Sequence, residues 1–503
     1  MVSATKVIVV NRRATTAKYG TAGWTKIRAA LTALIAADRG RSLGTKVLAI
    51  DSSADAAKVG VAPIATSTAA NAAAVKRFVD GVATRLTPDY IMLLGSADLL
   101  PQAELDNPLW NGNPDDDADP VVPSDLPYAC DGPLVRDISA YRGPTRVVSR
   151  LPDLVGAADP AFLVGLLHTA THWKTLDAPR PLAVLAVSTL TWRRSTTTSV
   201  SLIGGAAGPV HTCPTDGPSW TKAQLDAPLV FVNCHGGEFD PTWYGEKFAH
   251  QATLPHAIEA GRLTSVVRGG TVVAAECCYT TMHWNPSAAG GQAGVAATWL
   301  GQGAYAVFGA STTAYGPASG NGYADVIARM FLETVVAGGS VGRAALTARQ
   351  RFVQSASPLG PTDLKTLGQF ELWGDPSIHP VAPVAAGPVA AAAASHSAGS
   401  VAAGIGPRRR ALESIGRALD ETVATTGAAR SRAGITRDRM SAISGVDLRD
   451  ARIQTFDVDT GPTAPISAQT YHVAFAGRAG RRSLVIVSTR PGERPEVSRL
   501  ETK

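Results

Sequence analysis

Two apolar runs of this 503-residue chain end on side chains that can do chemistry. Leu229–Glu238 reads LVFVNCHGGE and closes on His235-Gly236-Gly237, while Thr271–Thr281 reads TVVAAECCYTT and closes on Glu276-Cys277-Cys278. A thiolate is a strong nucleophile, and an imidazole exchanges protons near neutral pH, so a Cys and a His in contact form a nucleophile and its base. The glycines after His235 let a substrate carbonyl come close to backbone N–H groups, which an oxyanion hole requires. His235 and Cys278 are far apart in sequence and can meet only if their runs are neighbouring strands. Ligands of open parallel sheets bind beyond the carboxyl ends of the strands, where both residues then lie. Taken singly, such a His is ordinarily a satisfied core or surface residue and such a Cys a small hydrophobe; the pairing carries the reading.

Other chemistry is weighed against it. Cys234, His235, Cys277, Cys278 and His283 are soft ligands in one region and invite a structural zinc. Against zinc, no Cys-x-x-Cys or His-x₃₋₅-His spacing is present, and adjacent cysteines at a strand end point to opposite sides. Cys277 stays open as the alternative nucleophile. Asp115-Asp116-Asp117 offers oxygen ligands for a structural calcium, with a solvated turn as the plainer reading. No residue can be singled out as a third member that orients His235, and Asp375 reads as a turn with Pro376.

The elements that must position these residues follow from the apolar pattern. Lys6–Asn11, Thr45–Asp51, Tyr90–Leu94, Leu182–Val187, Leu229–Asn233, Thr271–Ala275 and Ala304–Ala310 are short apolar runs that read as strands. Between them, Trp24–Ala37, Asn71–Arg85, Ala161–Leu176, a segment near Ala257–Arg262, and Tyr323–Ala337 read as helices, the second with Val75, Phe78, Val79 and Val82 on one face. Alternating strands and helices predict an α/β fold with a mainly parallel sheet. Asn107–Pro123 is loop chemistry. The pattern restarts after residues 155–180, giving two halves, 1–155 and 156–380. An Ala/Pro/Gly-rich linker covers 381–406 and a small module 407–503. In that module Ala411–Thr425 can be helical, and Tyr471–Phe475 with Ser483–Ser488 look like strands.

Hydrophobic residues make up 45% and charged residues 17% of the chain, enough to bury a large core and too apolar for wholesale disorder. No run of strongly apolar residues is long enough for a membrane span. Residues 381–503 carry 17 Lys and Arg against 11 Asp and Glu, so the net +6 sits wholly in the tail. The Arg408-Arg409-Arg410 cluster has no interleaved aromatics, so it reads as a solvated basic surface or exposed junction rather than a nucleic-acid site. Five cysteines are too few and odd in number for a disulfide scaffold. The start, MVSATKVIVVN, is too short for a signal-peptide core, which together with reduced thiols predicts a cytoplasmic protein.

His-Gly after one apolar strand and Glu-Cys-Cys after another resembles the caspase-related cysteine peptidases. Glu276-Cys277-Cys278 is similar to the Glu-Ala-Cys of legumains and the Asp-Cys-Cys of metacaspases, whose last cysteine is the nucleophile. Further blocks resemble gingipain-type peptidases in their order: PDYIMLLGSADLLP at Pro88–Pro101, SDLPYA at Ser124–Ala129, VSRLP at Val148–Pro152, YAVFGASTT at Tyr305–Thr313 and LWGDPSIH at Leu372–His379. Together with the two strand-end segments they run from Pro88 to His379. The resemblance implies a three-layer caspase-like sandwich in two subdomains, the first lacking a catalytic pair. It implies an endopeptidase in which Cys278 attacks, His235 protonates the leaving amine, and the N–H groups of Gly236 and Cys278 hold the oxyanion. Glu276, Trp192, Arg193 and Tyr315 become candidate pocket residues. No cofactor is required, and the implied partners are a protein or peptide substrate and a regulatory protein, not nucleic acid or membrane.

The chain departs from the gingipain pattern at Ser149, where the family has Gly before Arg. It departs again at Ser188–Ser201, which contains no carboxylate to orient the His or bind a basic P1 residue. Trypsin-like specificity therefore does not carry over. Trp192, Arg193 and Arg194 stand there instead, where two arginines suit an acidic P1 side chain or simply face solvent. A catalytically silent caspase-like module that binds a peptide or protein partner is the rival reading.

Overall fold

The computed structural model describes residues 4–63, 71–249, 251–317, 320–356 and 359–383, together with the backbone of four strands between residues 452 and 502. Its strands in chain order are β1 (Ala4–Val10), β2 (Leu43–Ala49), β3 (Tyr90–Leu94), β4 (Ala103–Asp106), β5 (Val121–Ser124), β6 (Val148–Leu151) and β7 (Leu182–Thr189). They continue with β8 (Ala206–Ala207), β9 (Val210–Cys213), β10 (Leu229–Asn233), β11 (Thr242–Tyr244), β12 (His256–Glu259), β13 (Val272–Ala275), β14 (Ala306–Ala310), β15 (Tyr315–Pro317) and β16 (Phe370–Gly374). The tail adds β17 (Arg452–Val458), β18 (Gln469–Arg478), β19 (Arg481–Thr489) and β20 (Glu496–Thr502). The two tail strands expected from YHVAF and SLVIVS lie inside β18 and β19, whereas Ala411–Thr425 and the 384–406 part of the linker are outside the described residues.

One sheet runs through both halves in the order β2-β1-β3-β6-β16-β14-β13-β10-β7, with β8 and β9 both paired to β7. Its ladders are parallel except β14–β16. The mainly parallel α/β sheet expected from the alternating pattern is therefore present. The two halves meet where Trp373 of β16 pairs with Arg150 of β6.

Alternation along the strands divides the core into layers. Val230 and Val232 of β10 face a core that also holds Ile8, Met92 and Val273, closed by helices Arg12–Gly40, Ala161–His172 and Val295–Gly301. Leu229 and Phe231 face the opposite side with Val272, Ala274 and Phe308, against helices Ala324–Val336 and Val341–Ser355. On that side the first half has its own core, built by Val75, Phe78, Val79 and Val82 of helix Ala72–Leu86. The first face is thus continuous across the halves and the second is split.

Two local expectations differ. Ala257–Arg262 is a strand, β12, running into a short 3₁₀ turn, because Ala257 and Ile258 bury against the core while His256, Ile258 and Glu259 pair with β11. Arg193–Leu202 is a helix rather than a solvated loop. Its Ser195, Thr196, Ser199 and Val200 are buried, so packing overrides the weak helix propensity of a Ser/Thr run.

Candidate active site

His235 and Cys278 follow neighbouring parallel strands, since β10 pairs with β13 in the register Val232↔Ala275. The two strand ends then press together. A Cβ placed on Gly236 would stand 2.1 Å from the carbonyl oxygen of Cys278 and 3.2 Å from its nitrogen, so only glycine lets the loops approach this closely. The end of β10 is held from below, where Asn233 Nδ2 donates to Asp325 Oδ1 at 3.3 Å and Ser195 Oγ donates to the same oxygen at 2.7 Å.

Around the thiol, the Ala314 N–H donates to Cys278 Sγ at 3.2 Å, and Sγ lies 3.7 Å from the Ala314 carbonyl oxygen. Cys278 is 4% exposed, on the core face formed by Leu229 and Phe231, whereas Cys277 is fully buried with Cys234 on the opposite face. The next residue, Tyr279, has φ 56°, a left-handed conformation that costs a non-glycine residue roughly 1–3 kcal/mol. Its fixed hydroxyl holds it there, donating to Asp119 Oδ1 at 2.9 Å and lying 2.9 Å from Thr313 Oγ1. Burial and the nearby Asp119 push the Tyr279 phenol far up, so it stays a neutral donor.

His235 is buried and carries a carboxylate neighbour that the sequence did not single out. Its Nε2 lies 3.4 Å from Oε2 of Glu246, which is 2% exposed. Trp192 packs on the imidazole with ring centroids 4.5 Å apart, while its backbone N–H donates to Thr189 Oγ1 at 2.9 Å. Glu246 is pinned by backbone on two sides: its N–H donates to Cys213 O and its carbonyl accepts from the Leu190 N–H, each at 2.8 Å. Gly245 permits this, because a Cβ there would sit 2.2 Å from Cys213 O. The only sequence signal for Glu246 is its place behind Gly245, eleven residues past His235, in a hairpin whose register is irregular between Trp243 and Tyr244.

The other named residues are placed as follows. Glu276 is fully buried, and its N–H donates to Val232 O at 2.8 Å, which continues the β10–β13 ladder. Arg193 is exposed at the start of its helix. Tyr315 is buried, with its hydroxyl donating to Asp117 Oδ2 at 2.9 Å and Lys365 Nζ 5.3 Å from its ring centroid. Of the acidic triplet, Asp117 is ion-paired with Lys365 at 2.6 Å, Asp116 accepts from Asn111 Nδ2 at 2.6 Å, and Asp115 is exposed. Lys365 also pairs with Asp119 at 3.0 Å; although burial opposes it, that cation draws the Asp119 carboxyl below its ordinary range. No group of three or more His, Cys, Asp or Glu side chains among the described residues is arranged to hold a metal ion. Asp375, read as a turn residue, also forms a buried ion pair with Lys6 at 2.6 Å. Burial raises the Cys130 and Cys213 thiols to about 12, marking them as inert packing residues.

The Gly236 N–H meets no acceptor among the described residues, whereas the N–H of His235 is committed to Tyr244 O at 2.9 Å. Three large apolar side chains in the segments that follow β7 and β10 are exposed: Leu190 at 40%, Phe239 at 45% and Phe248 at 60%. Phe239 stands edge-on to Trp284, with centroids 6.2 Å apart.

No family model matches the chain, and no curated protein matches it in sequence. Among solved structures, two of the Saccharomyces cerevisiae separase–securin complex are similar to part of it. One aligns at 13% identity and a TM-score of 0.28, covering 46% of this chain and 14% of that chain; the other aligns at 10% and 0.30, covering 60% and 17%. A likeness at those scores is too distant to assign fold or activity. No helix among the described residues is long and apolar enough to cross a membrane.

Proposed function

We propose that the chain is a cysteine endopeptidase of the caspase-related, gingipain-type kind, with Cys278 as nucleophile and His235 as its acid–base partner. The observation that carries this reading is the close approach of Gly236 to the Cys278 backbone at the ends of two adjacent parallel strands. The order of the sequence blocks around those strands supports the gingipain-type assignment, and the mainly parallel sheet is compatible with it.

In this reading the Cys278 thiolate forms a bond to the scissile carbonyl carbon, and the carbonyl electrons move onto oxygen. The Gly236 and Cys278 N–H groups receive that oxyanion, each contributing on the order of 3 kcal/mol. His235 gives its proton to the leaving amine as the C–N bond breaks, and water then hydrolyses the thioester with His235 as base. Glu246 at Nε2 fixes the ring and leaves Nδ1 to exchange the proton with the thiol, taking the role for which no residue stood out in the sequence. No cofactor enters the reaction. The exposed Leu190, Phe239 and Phe248 would contact apolar substrate side chains, and Arg193 would favour acidic ones.

The test is mass-spectrometric mapping of cleavages in a diverse peptide mixture by the full chain, with Cys278→Ala as control. Cleavage by the parent chain and none by the variant is expected; equal cleavage by both, or by neither, contradicts the proposal. The rival, a silent module that binds a peptide, draws on the burial of Cys278. It is favoured if the peptides bind but remain intact.

A further inference from the structure

We infer that β15 is a backbone-docking edge for an extended peptide beside Cys278, and that the chain's own strand β20 occupies it. The occupied-site part deepens the peptidase reading and rests on it; the strand pairing does not. β15 begins one residue after Ala314, whose N–H and carbonyl both contact the Cys278 thiol. It takes no part in the large sheet. Its ladder partner among the described residues is β20, in antiparallel register Tyr315↔Thr502, Gly316↔Glu501 and Pro317↔Leu500.

The direction of that pairing matters. Antiparallel to β15, β20 runs from Pro317 back towards Tyr315, and so towards Ala314 and the thiol. An extended chain whose backbone is held by strand addition and which heads for the nucleophile lies where an acyl-donor peptide would have to lie. β15 itself is held firmly for such a role, since Tyr315 is buried with its hydroxyl on Asp117, and Asp117 is locked by Lys365. On its other edge β20 continues into β19, β18 and β17, so a four-stranded meander delivers this one strand to the site. Intramolecular delivery gives the occupying strand a high effective concentration, often millimolar, that a substrate must outcompete. The basic tail module, to which composition assigned no chemistry, thereby acquires a role as a built-in strand competitor.

The experiment uses the full chain and two single variants, Leu500→Pro and Glu501→Pro. Successive N–H groups of a strand point to opposite sides, so one of the two removes an N–H directed at β15. Amide exchange is followed in the peptide containing Tyr315 and Gly316, alongside the rate at which a peptidyl acyloxymethyl ketone modifies Cys278. Thermal melting checks that residues 4–383 stay folded. The expected result is protection of one of the Tyr315 and Gly316 amides in the parent chain, loss of that protection in at least one variant, and roughly tenfold or faster modification in that variant. Adding a synthetic peptide of residues 496–502 should slow it again. A parent chain unprotected at both amides overturns the docking, and lost protection with an unchanged rate overturns the blockade. Lost protection with no modification of any chain upholds the strand docking and counts instead against the peptidase reading.

Discussion

Exchanging the Glu246 carboxylate for an amide keeps the side chain's size and removes the charge 3.4 Å from His235 Nε2. If Glu246 orients the imidazole, Glu246→Gln lowers kcat by on the order of 10²- to 10⁴-fold with little change in KM. The alkaline limb of the kcat/KM profile then moves to lower pH, because the imidazolium loses its counter-charge; an unmoved profile would reduce Glu246 to a packing residue. The two cysteines separate as sharply. Cys278→Ala should cost about 10⁴-fold or more in turnover, whereas Cys277→Ala, which empties a site in the opposite core, should cost stability and leave turnover within a few fold. At this scale the placement of His235 and Cys278 after neighbouring strands was legible, because two apolar runs ending in His-Gly and Cys-Cys report their own strand termini. Glu246 was not, because no periodicity links it to His235: it follows two residues after a three-residue strand whose ladder is irregular, and backbone contacts from Leu190 and Cys213 fix it.

The elements differ in how far pattern betrays them. Of the central sheet, β1, β2, β3, β7, β10, β13 and β14 were readable as apolar runs, whereas β6, β8, β9 and β16, which are short or carry polar residues, were not. Helix Arg193–Leu202 was hidden because Arg-Arg-Ser-Thr-Thr-Thr has poor helix propensity and gains its stability from burial against the sheet. β12 was mistaken for a helix because four residues cannot display a period. One element makes its own prediction. His283 stacks on Trp373 with centroids 4.8 Å apart, and burial, aided by Arg150 and Lys18, holds its imidazole well below the ordinary range. The unfolded chain therefore binds a proton at His283 below about pH 6.5 that the folded chain refuses. Its contribution to stability is intact above that pH and is lost as pH falls. His283→Phe, which keeps the stack, should flatten the decline in denaturant midpoint between about pH 6.5 and 5; a parallel decline in both proteins would place the acid sensitivity elsewhere.

Across the whole molecule, the joint between the halves is polar and fully buried. Lys6 of β1 pairs with Asp38 at 2.8 Å and with Asp375 at 2.6 Å, and all three side chains are inaccessible. A second set lies at the same seam: Arg150 pairs with Asp125 at 2.6 Å, and Glu371 accepts from Gln102 and from the Asp125 N–H. Such networks cost much when one partner is removed. Lys6→Met should lower the unfolding free energy by about 3–5 kcal/mol through the two stranded carboxylates, as read by chemical denaturation. A loss below about 1 kcal/mol would show that the halves do not depend on this joint. The seam could not be anticipated from the sequence, since LWGDP signals a turn locally while its lysine partner lies at the far end of the chain. The central claim concerns the ends of β10 and β13, where Gly236 approaches the Cys278 backbone, and one measurement addresses it most directly. Full-length protein is treated with a library of peptidyl acyloxymethyl ketones varied at P1, and the adduct is located by intact mass and peptide mapping. The account predicts one adduct per chain, on Cys278, abolished by His235→Ala in a variant that still folds. Modification of Cys277 instead, equal labelling of the His235→Ala variant, or no adduct with any P1 group even when β20 is released would contradict it.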